Sequence, residues 1–174
     1  KNEILNLIDD AEDISFSRPS KDLKWGIPVP GDDTQTMYVW ADALTNYISA
    51  LGYGGNEEKM EFWPADVHLV GKDILRFHAM IWPAMLLSAG LPLPKAIYVH
   101  GFITVDGEKI SKTVGNVVDP FEAVKKYGSE VVRYFLLREI PSGDDGDFTY
   151  KKLEERNNGD LENGLGNLVQ RVLT

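Results

Sequence analysis

Apolar positions along this chain fall in two rhythms, short continuous runs and stretches spaced at three and four residues. Ile4, Leu5, Leu7 and Ile8 give residues 2–10 the apolar side of a helix. From 16 to 36, Pro19, Pro28, Pro30, Gly31 and two aspartates break any regular element. The run Met37-Tyr38-Val39-Trp40 then reads as a strand, and Ala43, Leu44, Tyr47, Ile48 and Leu51 behind it recur at helical spacing. Three glycines between Gly52 and Asn56 stop that helix. The motif repeats, with a strand at Val67-His68-Leu69-Val70, a turn at Gly71-Lys72-Asp73 and an apolar helix over 74–89 closed by Gly90. Pro92 and Pro94 stiffen the link to a third strand, Ala96-Ile97-Tyr98-Val99. Strand and helix in alternation predict an α/β fold, a parallel sheet with helices on its faces. In such sheets ligands sit beyond the carboxyl ends of the strands.

Past Gly101 the pattern changes. Lys109-Ile110-Ser111-Lys112-Thr113 forms a short loop. Asp119 caps and Pro120 opens a short helix over 121–127, which Gly128 ends. Ser129 is the expected cap of a second helix from Glu130 to about Ile140. Residues 141–146 form a loop, and 150–174 are helical in character but polar until Leu161. The chain begins at Lys1 without a methionine and stops at Thr174 in mid-pattern, as an excised or truncated piece would.

With 174 residues, 43% of them hydrophobic, the chain suffices for one domain with a real core or for one domain plus an appendage. It has no apolar stretch of bilayer length and no signal segment, so a cytoplasmic protein is the expectation. Zero cysteines exclude disulfides and thiolate metal sites. The histidines at 68, 78 and 100 are not spaced as a metal-binding pair, so no metal ligands are expected. A net charge of -9 argues against a general nucleic-acid coat. Lys125, Lys126, Arg133 and Arg138 could still meet RNA phosphates, although Glu122, Glu130 and Glu139 among them fit a solvated face better.

Three groups of residues carry candidate chemistry. Lys109 and Lys112, in a hydroxyl-bearing loop beyond a buried strand, either suit nucleotide phosphates, because lysine is a compact charge on a long stem, or form a solvated basic turn. Gly71 and Asp73 lie between strand and helix. The glycine allows close backbone approach, and the aspartate either accepts from ribose hydroxyls or merely caps the helix. Trp40, Tyr47, Phe77, His78 and Trp82 either line a small apolar pocket with one or two polar handles or pack as ordinary core.

Taken in order, several strings resemble methionyl-tRNA synthetases, a family of class I aminoacyl-tRNA synthetases. They are Trp25-Gly-Ile-Pro-Val-Pro30, Tyr38-Val-Trp-Ala-Asp-Ala43 with Tyr47, and Gly71-Lys-Asp-Ile-Leu-Arg-Phe-His78 with Trp82-Pro-Ala-Met85. Val99-His-Gly101, Lys109-Ile-Ser-Lys-Thr113 and Asp160-Leu-Glu-Asn-Gly-Leu-Gly-Asn-Leu168 follow. The resemblance covers nearly the whole chain. It implies the second half of a Rossmann-like catalytic domain over 1–115, a stem-contact region over 116–149, and the start of the anticodon-binding helix bundle over 150–174.

The implied reaction is ATP-dependent activation of methionine to methionyl-adenylate, with magnesium accompanying ATP, and transfer to tRNA(Met). Lys109 and Lys112 match the signature loop and would neutralise the triphosphate. Gly71, Asp73, Ile103 and Ser111 complete the implied ATP-binding set. Trp40, Tyr47, Phe77, His78 and Trp82 would hold the methionine side chain, with Tyr47 and His78 as its polar handles near sulfur. The loop reads K-I-S-K-T against the commoner K-M-S-K-S, which keeps an apolar contact and a hydroxyl. The family's earlier half-domain, with its histidine nucleotide motif and amino-group ligand, is not in this sequence, nor is its zinc insertion. The chain alone is therefore expected not to aminoacylate. Two alternatives stand beside this reading: a class I synthetase for leucine, isoleucine or valine, and a non-catalytic synthetase-like RNA-binding module.

Overall fold

The structure is a computed structural model that describes residues 2–23, 25–110 and 115–174. The chain divides into two compact units, Lys1–Tyr98 and Val99–Thr174.

The first unit opens with helix α1, Asn2–Asp9. Three short strands follow: β1 (Ser17–Pro19), β2 (Pro28–Val29) and β3 (Asp32–Met37). They form an antiparallel sheet in the order β1-β3-β2, with Ser17 opposite Met37 and Pro28 opposite Thr36. Helix α2 runs Val39–Ser49 and buries Ala41, Leu44 and Ile48, a stripe at three- and four-residue spacing. The expected strand at 37–40 is therefore a junction. The Met37 amide donates to the Ile27 carbonyl and the Tyr38 amide to the Phe16 carbonyl, which ends the sheet. Tyr38 then caps α2 in an extended conformation, and its carbonyl accepts from the Ala41 amide.

Strand β4 (His68–Gly71) buries His68 and Val70 and exposes Leu69. It pairs in its own two-stranded sheet with β5, Ile97–His100. Of the three strands expected in one parallel sheet, the structure joins the second and third as β4 and β5, while the first is not a strand and the strand before it, β3, belongs to a separate antiparallel sheet. The expected helix over 74–89 is also subdivided. It comprises a tight 3-10 turn at Lys72–Ile74, a wide π turn at Phe77–Ile81 and α3 at Trp82–Ser88. Pro83 has no amide hydrogen to continue the regular ladder, and the Trp82 amide bonds to the Phe77 carbonyl five residues back. The core of this unit joins Leu44, Ile48, Trp63, Ile81, Trp82 and Leu86. Each such burial contributes about 1.5–3 kcal/mol before conformational entropy is set against it.

In the second unit, β6 (Ile103–Val105) and β7 (Glu108–Lys109) make a hairpin. Two helices follow, α4 (Pro120–Tyr127) and α5 (Ser129–Glu139). Asp119 caps α4 by accepting from the Phe121 amide. The cap of α5 is Gly128 rather than Ser129. Gly128 takes a φ of 87°, open to a residue without Cβ, while the Ser129 hydroxyl donates to Glu130. A strand inside the expected 141–146 loop region and just after it, β8 (Gly146–Phe148), lies parallel to β6. Helix α6 (Tyr150–Arg156), capped by Thr149, passes into a π stretch at Asn157–Gly166 and then α7, Asn167–Leu173. Ala123, Val132, Phe135, Phe148 and Leu153 form the core here. Among the described residues no helix is long and apolar enough to cross a membrane.

Candidate active site

In the first unit the predicted aromatic set comes together. Trp40, in the first turn of α2, stacks on Phe77 with ring centroids 4.0 Å apart and planes 11° from parallel. Tyr47, two helical turns on, points its hydroxyl at His78 Nε2 at 2.9 Å. His78 Nδ1 lies 2.9 Å from the Ile74 carbonyl oxygen, so in the neutral ring it carries the hydrogen and donates. Nε2 is then the acceptor, and Tyr47 donates to it. Trp82 is 1% exposed, with its ring centroid 6.1 Å from that of Tyr47.

Two further members went unread in the sequence. His68, 5% exposed, lies 4.5 Å from the Tyr47 ring and 5.9 Å from His78. Its Nε2 accepts the Trp82 indole hydrogen at 3.3 Å. Burial, and then the neighbouring imidazole of His78, push the His68 pKa below its ordinary value. Trp63 sits edge-on to Trp82 at 5.9 Å and donates to the Pro92 carbonyl. The signal for His68 was the period-two alternation of β4, which sends 68 and 70 inward together. Among the described residues no buried side-chain nitrogen or oxygen lacks a hydrogen-bond partner. The cluster is thus an apolar, aromatic environment whose polar atoms are already paired, with Tyr47 at 39% exposure as its open edge.

Gly71 ends β4 and Asp73 is the middle residue of the 3-10 turn that follows. Asp73 is exposed, and its carboxylate has no partner among the described residues. It does not cap the turn, where Gly71 takes the capping position without a side-chain bond. The carboxylate is therefore available to accept hydroxyl hydrogens from a ligand.

In the second unit, Ile103 begins β6 and Lys109 ends β7. Lys109 is exposed, and its ammonium lies 4.3 Å above the Phe102 ring. Ser111 and Lys112 fall outside the described residues. Gly101 packs so closely on the 141–146 segment that a Cβ there would lie 2.1 Å from the Asp144 carbonyl oxygen. The Asp145 carboxylate accepts from the Phe102 amide at 2.7 Å, which adds to the same seam. Of the basic residues on α4 and α5, Lys126 pairs with Glu154 at 3.4 Å and Arg138 with Asp160 at 3.8 Å. Those carboxylates favour the solvated-face reading. Among the described residues no three His, Asp or Glu side chains gather as a metal-binding group.

Comparison with known proteins gives the family. The family model of tRNA synthetases class I (M) matches residues 1–173. The chain is 54% identical over 176 residues to "Methionine--tRNA ligase" of Brucella suis, covering 100% of this chain and 34% of that protein. Against the protein of the same name from Thermotoga maritima, identity is 52% over 174 residues, with 99% of this chain and 27% of that one covered. Among solved structures, Mycobacterium tuberculosis methionyl-tRNA synthetase in complex with methionyl-adenylate superposes with a TM-score of 0.89 at 48% identity. That match covers 98% of this chain and 34% of that one. The chain thus spans about a third of the length of the relatives it matches. The α/β, Rossmann-like class expected from the sequence is the class of these structures. With the family match running over nearly every residue, the chain belongs to the class I tRNA synthetases, in their methionine branch.

Proposed function

We propose that the complete protein is a methionine–tRNA ligase and that this chain contributes the amino-acid pocket and the lysine loop. The methionine carboxylate oxygen attacks the α-phosphorus of ATP. The bond to the β-phosphate oxygen breaks, and magnesium pyrophosphate leaves. A hydroxyl of the terminal ribose of tRNA(Met) then attacks the carbonyl of methionyl-adenylate and AMP departs. Such chemistry depends on positioning and on charge stabilisation rather than on a protein nucleophile. Lys109 and Lys112 neutralise the phosphates as charge develops, with Ser111 beside them. Gly71 admits the nucleotide against the backbone, Asp73 accepts from its ribose, and Ile103 borders the adenine.

The observation that carries this reading is the Tyr47–His78 hydrogen bond set among Trp40, Phe77 and Trp82. A thioether is polarizable, a weak acceptor and at home against aromatic faces, so rings with two polar handles at one edge suit methionine. The methionyl-adenylate held by the Mycobacterium tuberculosis relative supports the same ligand. The region over 1–115 belongs to the catalytic domain, 116–149 to a stem-contact region and 150–174 to the start of a helix bundle, working in the cytoplasm. Alone, the chain does not aminoacylate.

The test is Lys112→Ala in the complete protein. Adenylation, measured as methionine-dependent pyrophosphate exchange, should fall on the order of 100-fold or more, while methionine binding is kept. An unchanged rate removes the catalytic role of the loop. Competition between methionine and leucine for the pocket separates this reading from a leucine, isoleucine or valine enzyme, and methionine should win.

A further inference from the structure

We infer that Asp147 is the positioning residue of the lysine loop: its carboxylate fixes the β6–β7 turn so that Lys109 enters the loop at a set place and angle. This rests on the function proposed above. The turn between the two strands is Val105-Asp106-Gly107-Glu108, with Val105 paired to Glu108 and Thr104 to Lys109. Both central residues lie in the left-handed region, Asp106 at φ 53° and Gly107 at φ 77°. Asp-Gly is a favoured pair for such a turn, because aspartate tolerates the left-handed region and glycine adopts it freely, so the pair sets the local shape of the turn. Asp147, in the middle of β8, ties that turn to the rest of its unit. One carboxylate oxygen accepts from the Gly107 amide at 2.7 Å and from the Thr104 hydroxyl at 3.0 Å. The other accepts from the Lys152 ammonium at 3.1 Å. A single side chain thus ties β6 and the turn of the hairpin to β8 and α6.

The far end of the loop is tied as well. The Asn116 side-chain amide donates to the Lys109 carbonyl at 3.2 Å, across seven positions. Lys109 is held at its backbone by one residue beyond the loop and through its hairpin by another, and neither Asp147 nor Asn116 is among the residues expected to touch ATP. The carboxylate is well chosen for this task. The Gly107 amide above all, with Lys152 and Thr104, keeps Asp147 ionised by lowering its pKa, and charge-assisted bonds of this kind are stronger than neutral ones. A lysine acts on a transition state only if its ammonium arrives where charge develops, and a misplacement of about 1 Å lowers rates on the order of 100-fold.

The experiment compares Asp147→Ala, Asp147→Asn and Lys152→Met in the complete protein. Methionine-dependent pyrophosphate exchange gives kcat and the KM for ATP. Tryptophan fluorescence gives the methionine Kd, and thermal melting checks the fold. Asp147→Ala should lower kcat, or kcat over the KM for ATP, on the order of 10- to 100-fold with the methionine Kd within about two-fold. Asp147→Asn keeps an oxygen for Gly107 and should fall between alanine and wild type, and Lys152→Met should have the smallest effect. If the alanine variant does not fold, the asparagine variant carries the same comparison. Wild-type exchange kinetics in a folded Asp147 variant overturn the inference. So does a rise in methionine Kd that tracks the loss of exchange, because it marks general damage. A wild-type protein with no exchange at all overturns the functional reading and this inference with it.

Discussion

In the first unit the residues assigned to the amino acid are rings packed around two imidazoles, on α2, β4 and the π turn. In the second, Lys109 ends a two-stranded hairpin braced by a partly exposed carboxylate. The difference follows from the ligands proposed. A thioether side chain is recognised by shape and polarizable contact, which demand burial and fixed rotamers. A triphosphate is recognised by mobile charge, which must stay hydrated until the ligand arrives. The first site is therefore inseparable from its core: Trp82 belongs to both the ring cluster and the central cluster of buried residues. The second site is separable from its core, because Lys109 lies outside the Ala123–Leu153 cluster and is held by hydrogen bonds.

That contrast is open to attack. The largest expected effect is Trp82→Ala. It removes an indole that is 1% exposed and strips His68 of its donor, so it should destabilise the protein by about 3–5 kcal/mol in chemical denaturation. A loss below about 1 kcal/mol would mean that the ring cluster is not part of the core. Next comes Gly101→Ala. Its added methyl meets the Asp144 backbone at 2.1 Å, which a side-chain shift cannot relieve. We expect a loss of about 1–3 kcal/mol together with slower exchange kinetics, since the displaced segment leads into β8. Normal stability and kinetics would show that the seam tolerates opening.

The smallest effect is a pH dependence that should separate the units. His68 is held neutral, below its ordinary value of 6.5. The unfolded chain then binds more protons, so the stability tied to this group is complete above about 6.5 and declines as pH falls from there toward the depressed value. Carboxylates behave in the other window. Asp147 and Glu154 are lowered from 3.8 and 4.5, so their contribution persists down to those values and is lost only as pH drops through the folded ones. Between pH 7.5 and 5.5, hydrogen exchange of core amides should accelerate around α2 and α3 and stay constant, after correction for intrinsic rates, around α5 and α6. Equal acceleration in both places would erase the distinction, and His68→Gln should flatten the response of the first unit.

How much of this was legible depends on how local each determinant is. The Asp119-Pro120 start of α4 is written in adjacent residues, and the structure has that cap. The aromatic set was legible because Trp40 and Tyr47 lie two turns apart on one helix and His78 and Trp82 close together on the next segment. Strand β3 was not, because its sequence is DDTQTM and only Thr36 is buried. Its partners hold it through backbone bonds, and polar side chains carry no trace of that. The apolar run 37–40 misled for the complementary reason: aromatic and β-branched residues favour strands, yet the end of the antiparallel sheet at Tyr38 frees the backbone to coil. Strand β8, three residues long, is too short for any period to register. Asp147 within it could not be singled out, because its three donors come from Thr104, Gly107 and Lys152. Ser111 and Lys112 remain assigned by resemblance, as they fall outside the described residues.

The parallel pairing of β6 with β8 has a consequence for assembly in time. Thr104 and Asp147 meet across 43 positions, whereas the β6–β7 hairpin and the helices between are local. Closing so long an excursion is entropically expensive and comes late in folding, after nearby contacts have formed. The nascent chain therefore gains the Asp147 brace on its β6–β7 hairpin only once β8 and the first turn of α6 have been synthesised. A ribosome paused before Asp147 would hold an intermediate whose lysine-bearing hairpin has not yet set.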